Sequence, residues 1–186
     1  KLDADKTAVV LGCGMEGLLT VAALKTLGIN KIIVIDKESE KSRAMEFGAW
    51  EFIGSHGKNG VAGVKDKIRA AAGDMADAVF ICTDSPMGRN VARRFMKNSG
   101  SICEMGFLCG WRRTPTARYF EDSMPAGGRF YAARDYENCM NFLAKAAEMK
   151  LPLYKLITHR YKLEEINEAM WTVVREEGLG IAVFNR

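Results

Sequence analysis

No apolar run in this chain reaches the roughly 18 residues that a membrane-crossing helix needs. A strong charge of one sign is also missing. The 27 basic and 23 acidic side chains leave +4 on 186 residues, too little and too scattered to argue for a nucleic-acid partner. There is no Cys-x-x-Cys pair among the five cysteines at 13, 82, 103, 109 and 139. Only His56 and His159 are available to join those thiols, at spacings that do not cluster, so no metal is expected in this chain. An odd number of cysteines fits reduced thiols in a cytoplasmic protein better than a disulfide framework. Cys13, Cys82 and Cys103 lie in or beside apolar runs, where thiols pack as small hydrophobes. Neither an internal repeat nor a low-complexity tract is present. The opening residues, Lys1-Leu2-Asp3-Ala4-Asp5-Lys6, are polar and charged and do not read as a signal peptide. What remains is globular composition, 48% hydrophobic and 27% charged, with neither a membrane nor a nucleic acid expected as partner.

Strand and helix patterns alternate along the chain. Thr7–Leu11 is an apolar run closed by glycine, as in a parallel strand buried on both faces. From Met15 to Leu27 the residues Leu18, Leu19, Ala22, Ala23 and Leu27 repeat at helical spacing, and Gly28 takes the C-terminal position. Lys31–Asp36 reads as a second buried strand. Ser39 is placed to cap a helix through Met45 and Phe47 that Gly48 closes. Trp50–Ile53 gives a third strand. The glycines at 54, 57, 60 and 63 mark a loop, followed by a short helix over 64–72. Ala78–Cys82 is a fourth strand. Asp84-Ser85-Pro86 opens a helix that reaches Met96, and Ser101–Met105 is a fifth strand.

Residues 108–128 read as a long loop or irregular excursion. Arg129–Ala133 is the expected sixth strand, and Asp135 caps a helix to Met149. A tail follows with a strand over 156–161, a helix from Leu163 to Val174 and a strand from Ile181 to Phe184. Such alternation predicts an α/β fold, a doubly wound parallel sheet of the Rossmann type. The expected domains are a dinucleotide-binding unit over 1–150 and a C-terminal segment over 151–186.

The chemistry centres on Gly12-Cys13-Gly14-Met15-Glu16-Gly17. Three glycines alone are a weak pattern. Here they directly follow a buried strand, open an amphipathic helix and precede a strand ending on Asp36. Gly12 permits the tight turn, Gly14 lets a pyrophosphate approach the backbone, and Gly17 lets the helix pack close to the sheet. The amides and the positive dipole end of the helix, at Met15, Glu16 and Gly17, attract phosphate. Asp36 can accept both hydroxyls of an adenosine ribose and would repel a 2′-phosphate, which favours NAD over NADP. Lys37, Lys41 and Arg43 form a nearby basic cluster that tolerates extra phosphate. Two other readings of the loop stand beside this one. One is a glycine turn with no ligand. The other is an S-adenosylmethionine site, against which the third glycine and the unbroken helix speak.

Three segments carry a resemblance to the medium-chain dehydrogenase/reductase family, the zinc-type alcohol dehydrogenases and their relatives. They are Val10–Gly17 running on to Ile35-Asp36-Lys37, then Ser39–Ala49 with its closing Gly-Ala, and Leu156–Ala169, the most specific of the three. The resemblance implies an oxidoreductase, an alcohol or polyol dehydrogenase, whose nicotinamide cofactor is held by Gly12, Gly14, Met15, Glu16, Gly17, Asp36, Lys37 and Lys41. It also implies that Cys82, Thr83, Met105, Gly106 and Phe107 supply backbone beside the nicotinamide and its ribose. In the family a GroES-like catalytic domain precedes the glycine loop and supplies the zinc ligands and the proton relay. Those residues are not in this chain, so it is expected to bind cofactor, to catalyse nothing alone, and to need zinc only in a full-length protein.

By the same resemblance, 151–186 returns to that catalytic domain, the alcohol or carbonyl substrate meets the full-length protein, and the edge strand 129–133 pairs in a homodimer. The sequence departs from the family pattern at Cys82-Thr83-Asp84-Ser85-Pro86, where a glycine is common, and at Glu177-Gly178-Leu179-Gly180, where some members have arginine. A non-enzymatic dinucleotide-sensing module is the alternative function. His159 is expected to be a structural strand residue and His56 a solvent-facing loop residue. Trp111-Arg112-Arg113 is assigned to a loop near the cofactor or an interface, and Met140, Met149 and Met170 to core packing.

Overall fold

A computed structural model describes residues 2–55, 60–83, 88, 91–105, 125–126, 132–175 and 178–184. The chain divides into two compact units, Lys1–Leu151 and Pro152–Arg186.

The first unit is built on strands β1 (Thr7–Leu11), β2 (Lys31–Asp36), β3 (Glu51–Gly54), β4 (Ala76–Ile81), β5 (Met96–Glu104) and β6 (Pro125–Ala126). They form one sheet in the order β3-β2-β1-β4-β5-β6, and every pairing is parallel. The chain runs outward from the centre to β3, then crosses back to begin again at β4. That reversal opens a crevice at the carboxyl ends of β1 and β4, where ligands of such sheets bind.

Strand alternation divides the core between two faces. Val9, Leu11, Ile33, Ile35, Ile53, Val79 and Ile81 share one buried cluster with Val64 and Ile68 of helix α3 (Gly60–Ala72). Their alternates Val10, Ile32 and Val34 are as fully buried, facing the side of α1 (Met15–Thr26), whose Leu18, Val21 and Ala22 are buried in turn. Burying each such side chain contributes about 1.5–3 kcal/mol. This explains why β1 and β2 read as continuous apolar runs rather than alternating ones.

Several expectations are corrected. Leu27 is 73% exposed; α1 ends at Thr26 and Leu27 is its C-cap, so the apolar stripe stops one turn earlier. Ser39 does not cap a helix. It lies inside a 3-10 turn, Glu38–Glu40, with its hydroxyl on the Glu40 carboxylate, and helix α2 (Lys41–Glu46) follows without a side-chain cap. Gly60 and Gly63 belong to α3 rather than to a loop, because burial of Val64 and Ile68 outweighs the poor helix propensity of glycine.

The helix expected to reach Met96 is present at Gly88, Val91 and Ala92 but gives way to a 3-10 turn, Arg93–Phe95, and Met96 opens β5. Residues 84–87, where its start was expected, lie outside the described residues. Strand β6 falls at Pro125–Ala126, inside the stretch read as an excursion. Ala132 and Ala133 are the cap and first residue of helix α4 (Ala133–Glu148), not strand, and 129–131 lie outside the described residues. Asp135 does act at that cap, its carboxylate accepting the Ala132 amide at 2.7 Å. Met140 and Met149 are 65% and 44% exposed. Helix α4 turns Ala146 inward instead, so these methionines are not core residues.

The second unit is a β-α-β turn. Strand β7 (Ile157–Lys162) pairs in parallel with β8 (Gly180–Phe184), and α5 (Ile166–Val174) joins them. Buried Thr172 meets the Tyr161 hydroxyl at 2.7 Å. His159 lies on β7, bonded to Thr158 and stacked on Tyr161, which is the structural role expected of it. Met170 is 58% exposed, again not core. Among the described residues no helix is long and apolar enough to cross a membrane.

Candidate functional site at the carboxyl edge of the sheet

Parallel pairing sets the strand ends level. Leu11 is in register with both Ile35 and Ile81, and Ile81 with Glu104. The ladder continues past the strands: the Gly12 amide donates to Ile35 at 3.0 Å, Cys82 to Leu11 at 2.8 Å and Met105 to Ile81 at 2.9 Å. Gly12, Asp36, Cys82 and Met105 therefore lie along one edge.

The three glycines of the loop differ in why they are glycine. Gly12 has φ +99°, and a Cβ there would overlap the Cys82 carbonyl. At Gly17 a Cβ would overlap the carbonyl oxygen of Gly12, so helix and loop can approach only without a side chain. Gly14 has φ −70° and ψ −170°, a conformation open to any residue, and a Cβ there would meet nothing within 4 Å. Among the described residues, packing thus accounts for Gly12 and Gly17 but gives no reason for Gly14. Gly14 is also the N-cap of α1 and makes no side-chain cap bond. The space in front of it adjoins the first-turn amides of a helix, where a phosphate is well placed.

Asp36 turns its carboxylate back over the loop. Oδ2 accepts the Cys13 amide at 2.5 Å and Oδ1 accepts the Lys37 amide at 2.6 Å. Two members of the basic cluster beyond it face acids three positions earlier. Arg43 donates to Glu40 at 2.6 Å, and Lys41 stands 3.9 Å from Glu38. The Glu38 carboxylate also lies against Gly54 at the end of β3. Met15, Glu16 and Lys37 are exposed.

Cys13 and Cys82 are buried beneath the loop. Burial, helped by the charges of Asp36 and Glu40, pushes the Cys13 thiol up to about 12. Burial likewise pushes Cys82 up to about 11, and Cys103 is raised by the same cause. Such thiols stay protonated and unreactive. Cys139 is exposed, and Cys109 lies outside the described residues.

Sequence reasoning passed over Thr20. Its hydroxyl donates to the Glu16 carbonyl at 2.8 Å and stands 3.5 Å from the Cys82 sulfur, tying α1 to the end of β4. The available cue was a threonine inside an otherwise apolar helix. It also missed the carboxylate partners Glu38 and Glu40. Thr83 follows Cys82 at the same edge, and the Met105 sulfur stands 3.5 Å from that of Cys103. Gly106, Phe107, His56 and Trp111-Arg112-Arg113 lie outside the described residues. Among the described residues no three His, Cys, Asp or Glu side chains are grouped to hold a metal. The described residues do not fit a zinc site.

A protein-family profile described as zinc-binding dehydrogenase matches residues 17–145. Sorbitol dehydrogenase 1 of Saccharomyces cerevisiae is 29% identical over 166 residues, covering 87% of this chain and 46% of that protein. An alcohol dehydrogenase from Thermotoga maritima superposes with a TM-score of 0.84 at 22% identity, covering 97% of this chain and 50% of that one. A short chain alcohol dehydrogenase from E. coli CFT073, complexed with cofactor NADH, gives a TM-score of 0.72 at 20% identity, covering 97% and 52%. The chain spans about half the length of the curated relatives it matches.

Proposed function

The chain belongs to the zinc-binding dehydrogenase family, and from that premise we propose that its first unit holds NAD(H) for an oxidoreductase acting on an alcohol or polyol. The observation that carries the reading is Gly14. It is a glycine that no contact among the described residues requires, set before the first turn of α1 at the switch point of the sheet.

In this reading the pyrophosphate lies over Gly12–Gly17. The Met15, Glu16 and Gly17 amides point toward it, and Gly14 keeps the approach clear. Asp36 accepts the adenosine ribose hydroxyls through the lone pairs its two amide bonds leave open. Its charge disfavours a 2′-phosphate. The pairing of Lys41 and Arg43 with Glu38 and Glu40 offsets part of the positive charge beside it, which supports NAD over NADP. Cys82, Thr83, Met105, Gly106 and Phe107 are assigned to the nicotinamide side. When bound, the dinucleotide supplies the hydride acceptor or donor; these residues orient it. The buried thiols of Cys13 and Cys82 take no part as nucleophiles.

The alcohol or polyol assignment rests on the sorbitol and alcohol dehydrogenases among the relatives. The second unit is assigned to packing on a catalytic domain of the full-length enzyme, and the β6 edge to pairing with a second copy in a cytoplasmic homodimer. Calorimetric titration with NADH and NADPH tests the cofactor reading. NADH is expected to bind the more tightly, and Asp36→Asn to narrow the difference. No heat with either dinucleotide refutes the reading, and an unchanged ratio in the variant refutes the role of Asp36 in selectivity.

A further inference from the structure

The Cys13–Asp36 bond is more than a ribose-binding acid requires. It spans 23 positions of sequence and ties the middle of the glycine loop to the end of β2. On either side of it the Gly12 amide is bound to Ile35, and the Gly14 carbonyl accepts the first helical bond, from Leu18. Between them Cys13 has its side chain buried and its amide on a carboxylate, while the Lys37 amide fixes the other oxygen. Two amide bonds to two oxygens set both the position and the rotation of the carboxylate. The outward lone pair of each oxygen stays open.

We propose that Asp36 is a positioning residue as well as a binding one: its carboxylate latches the pyrophosphate loop in its binding shape before any dinucleotide arrives. The proposal rests on the dinucleotide reading above and extends it. The acid that selects the ribose also orders the loop that receives the phosphates, so both halves of the adenosine diphosphate meet a surface already formed. An ordered loop lowers the ordering cost of association.

Amide hydrogen exchange on the whole chain without dinucleotide tests the latch. The samples are wild type, Asp36→Asn, Asp36→Ala and a control, Asp77→Asn. The control removes a carboxylate that holds the other end of β1 through the Thr7 amide. A charge-assisted bond lost from a locally opening segment raises exchange there by roughly tenfold or more. That rise is expected at the Cys13 amide in Asp36→Ala. A smaller one is expected in Asp36→Asn, which keeps a neutral acceptor. The amides of Ile33 and Val34 should keep their wild-type rates. Should Asp36→Ala not fold, Asp36→Asn alone must still show the local rise.

Cys13 exchange within about twofold of wild type in the Asp36 variants, or raised as much by Asp77→Asn, overturns the latch. NADH titration of the same samples separates this from the cofactor reading. Faster exchange with no NADH binding by wild type leaves the latch standing and removes the cofactor. Weaker NADH binding with unchanged exchange leaves the ribose contact and removes the latch.

Discussion

Gly14→Ala separates stability from binding at one atom. The backbone there, φ −70° and ψ −170°, suits alanine, and the new methyl meets nothing within 4 Å among the described residues. Replacing glycine at a compatible position gains about 0.4–1 kcal/mol from the unfolded chain, whereas alanine at a helix N-cap loses about 1 kcal/mol or less relative to better caps. The two nearly cancel, so the thermal midpoint should move by no more than about 2–4 °C. Binding has no such compensation. The methyl occupies the path by which a pyrophosphate reaches the first-turn amides, and a lost charge-assisted bond costs about 1.5–3 kcal/mol. Affinity for NADH should fall by roughly ten- to a hundredfold.

Gly17→Ala is the contrasting variant. Its Cβ collides with the Gly12 carbonyl, and overpacking of this kind costs about 1–3 kcal/mol of stability. Thermal unfolding by circular dichroism and calorimetric titration read the two effects on the same samples. Wild-type NADH affinity in folded Gly14→Ala would refute the argument that Gly14 is glycine for a ligand. A Gly14→Ala chain as unstable as Gly17→Ala would refute the geometry assigned to the loop.

Two further outcomes follow from the same structure. Burial opposes the charge of Asp77, but the Thr7 amide and the Lys97 ammonium outweigh it and hold its carboxyl below the usual 3.8. A carboxylate depressed on folding stabilises the chain above its unfolded value and loses that share as pH falls through the lower folded one. Urea midpoints of wild type should therefore drop as pH falls below the usual 3.8, and Asp77→Asn should flatten that limb. An equally steep fall in the variant contradicts the assignment. With Cys13 pushed up to about 12 and Cys82 to about 11, iodoacetamide near neutral pH should label exposed Cys139 at least about a hundredfold faster than either. Comparable labelling in a peptide map would show that the loop does not bury them.

The centre of the sheet was legible because β1 and β2 are buried on both faces, so polar–apolar alternation is absent and the apolar runs end cleanly at Gly12 and Asp36. Boundaries failed where local composition and tertiary packing disagree. Gly60 and Gly63 suggest a loop, yet α3 runs through them because Val64 and Ile68 close one face of the core. Met96 suits a helix end by composition but opens β5, whose excursion over 97–100 opposite the Ala76/Ala78 irregularity carries Lys97 to Asp77. Met140, Met149 and Met170 were assigned inward by residue type alone, and helix phase turns them out.

At the site, the order of glycines and the acid at the end of β2 were readable from spacing. The separate reasons for Gly12, Gly14 and Gly17 were not, since they depend on the carbonyls of Cys82 and Gly12 in space. The pairing of Arg43 with Glu40 and of Lys41 with Glu38 was within reach of helical spacing. The Cys13–Asp36 bond was not, because it depends on strand register and on the rotation of one carboxylate.

The central claim, that a dinucleotide lies over the glycine loop, is tested most directly by mapping amide chemical shifts of the isotope-labelled chain as NADH is added. The account predicts saturable changes grouped at Gly12–Gly17, Asp36–Lys37 and Cys82–Thr83, with Asp77 and Lys97 at the opposite end of the sheet unmoved. No saturable change, or changes grouped away from the loop, would contradict it.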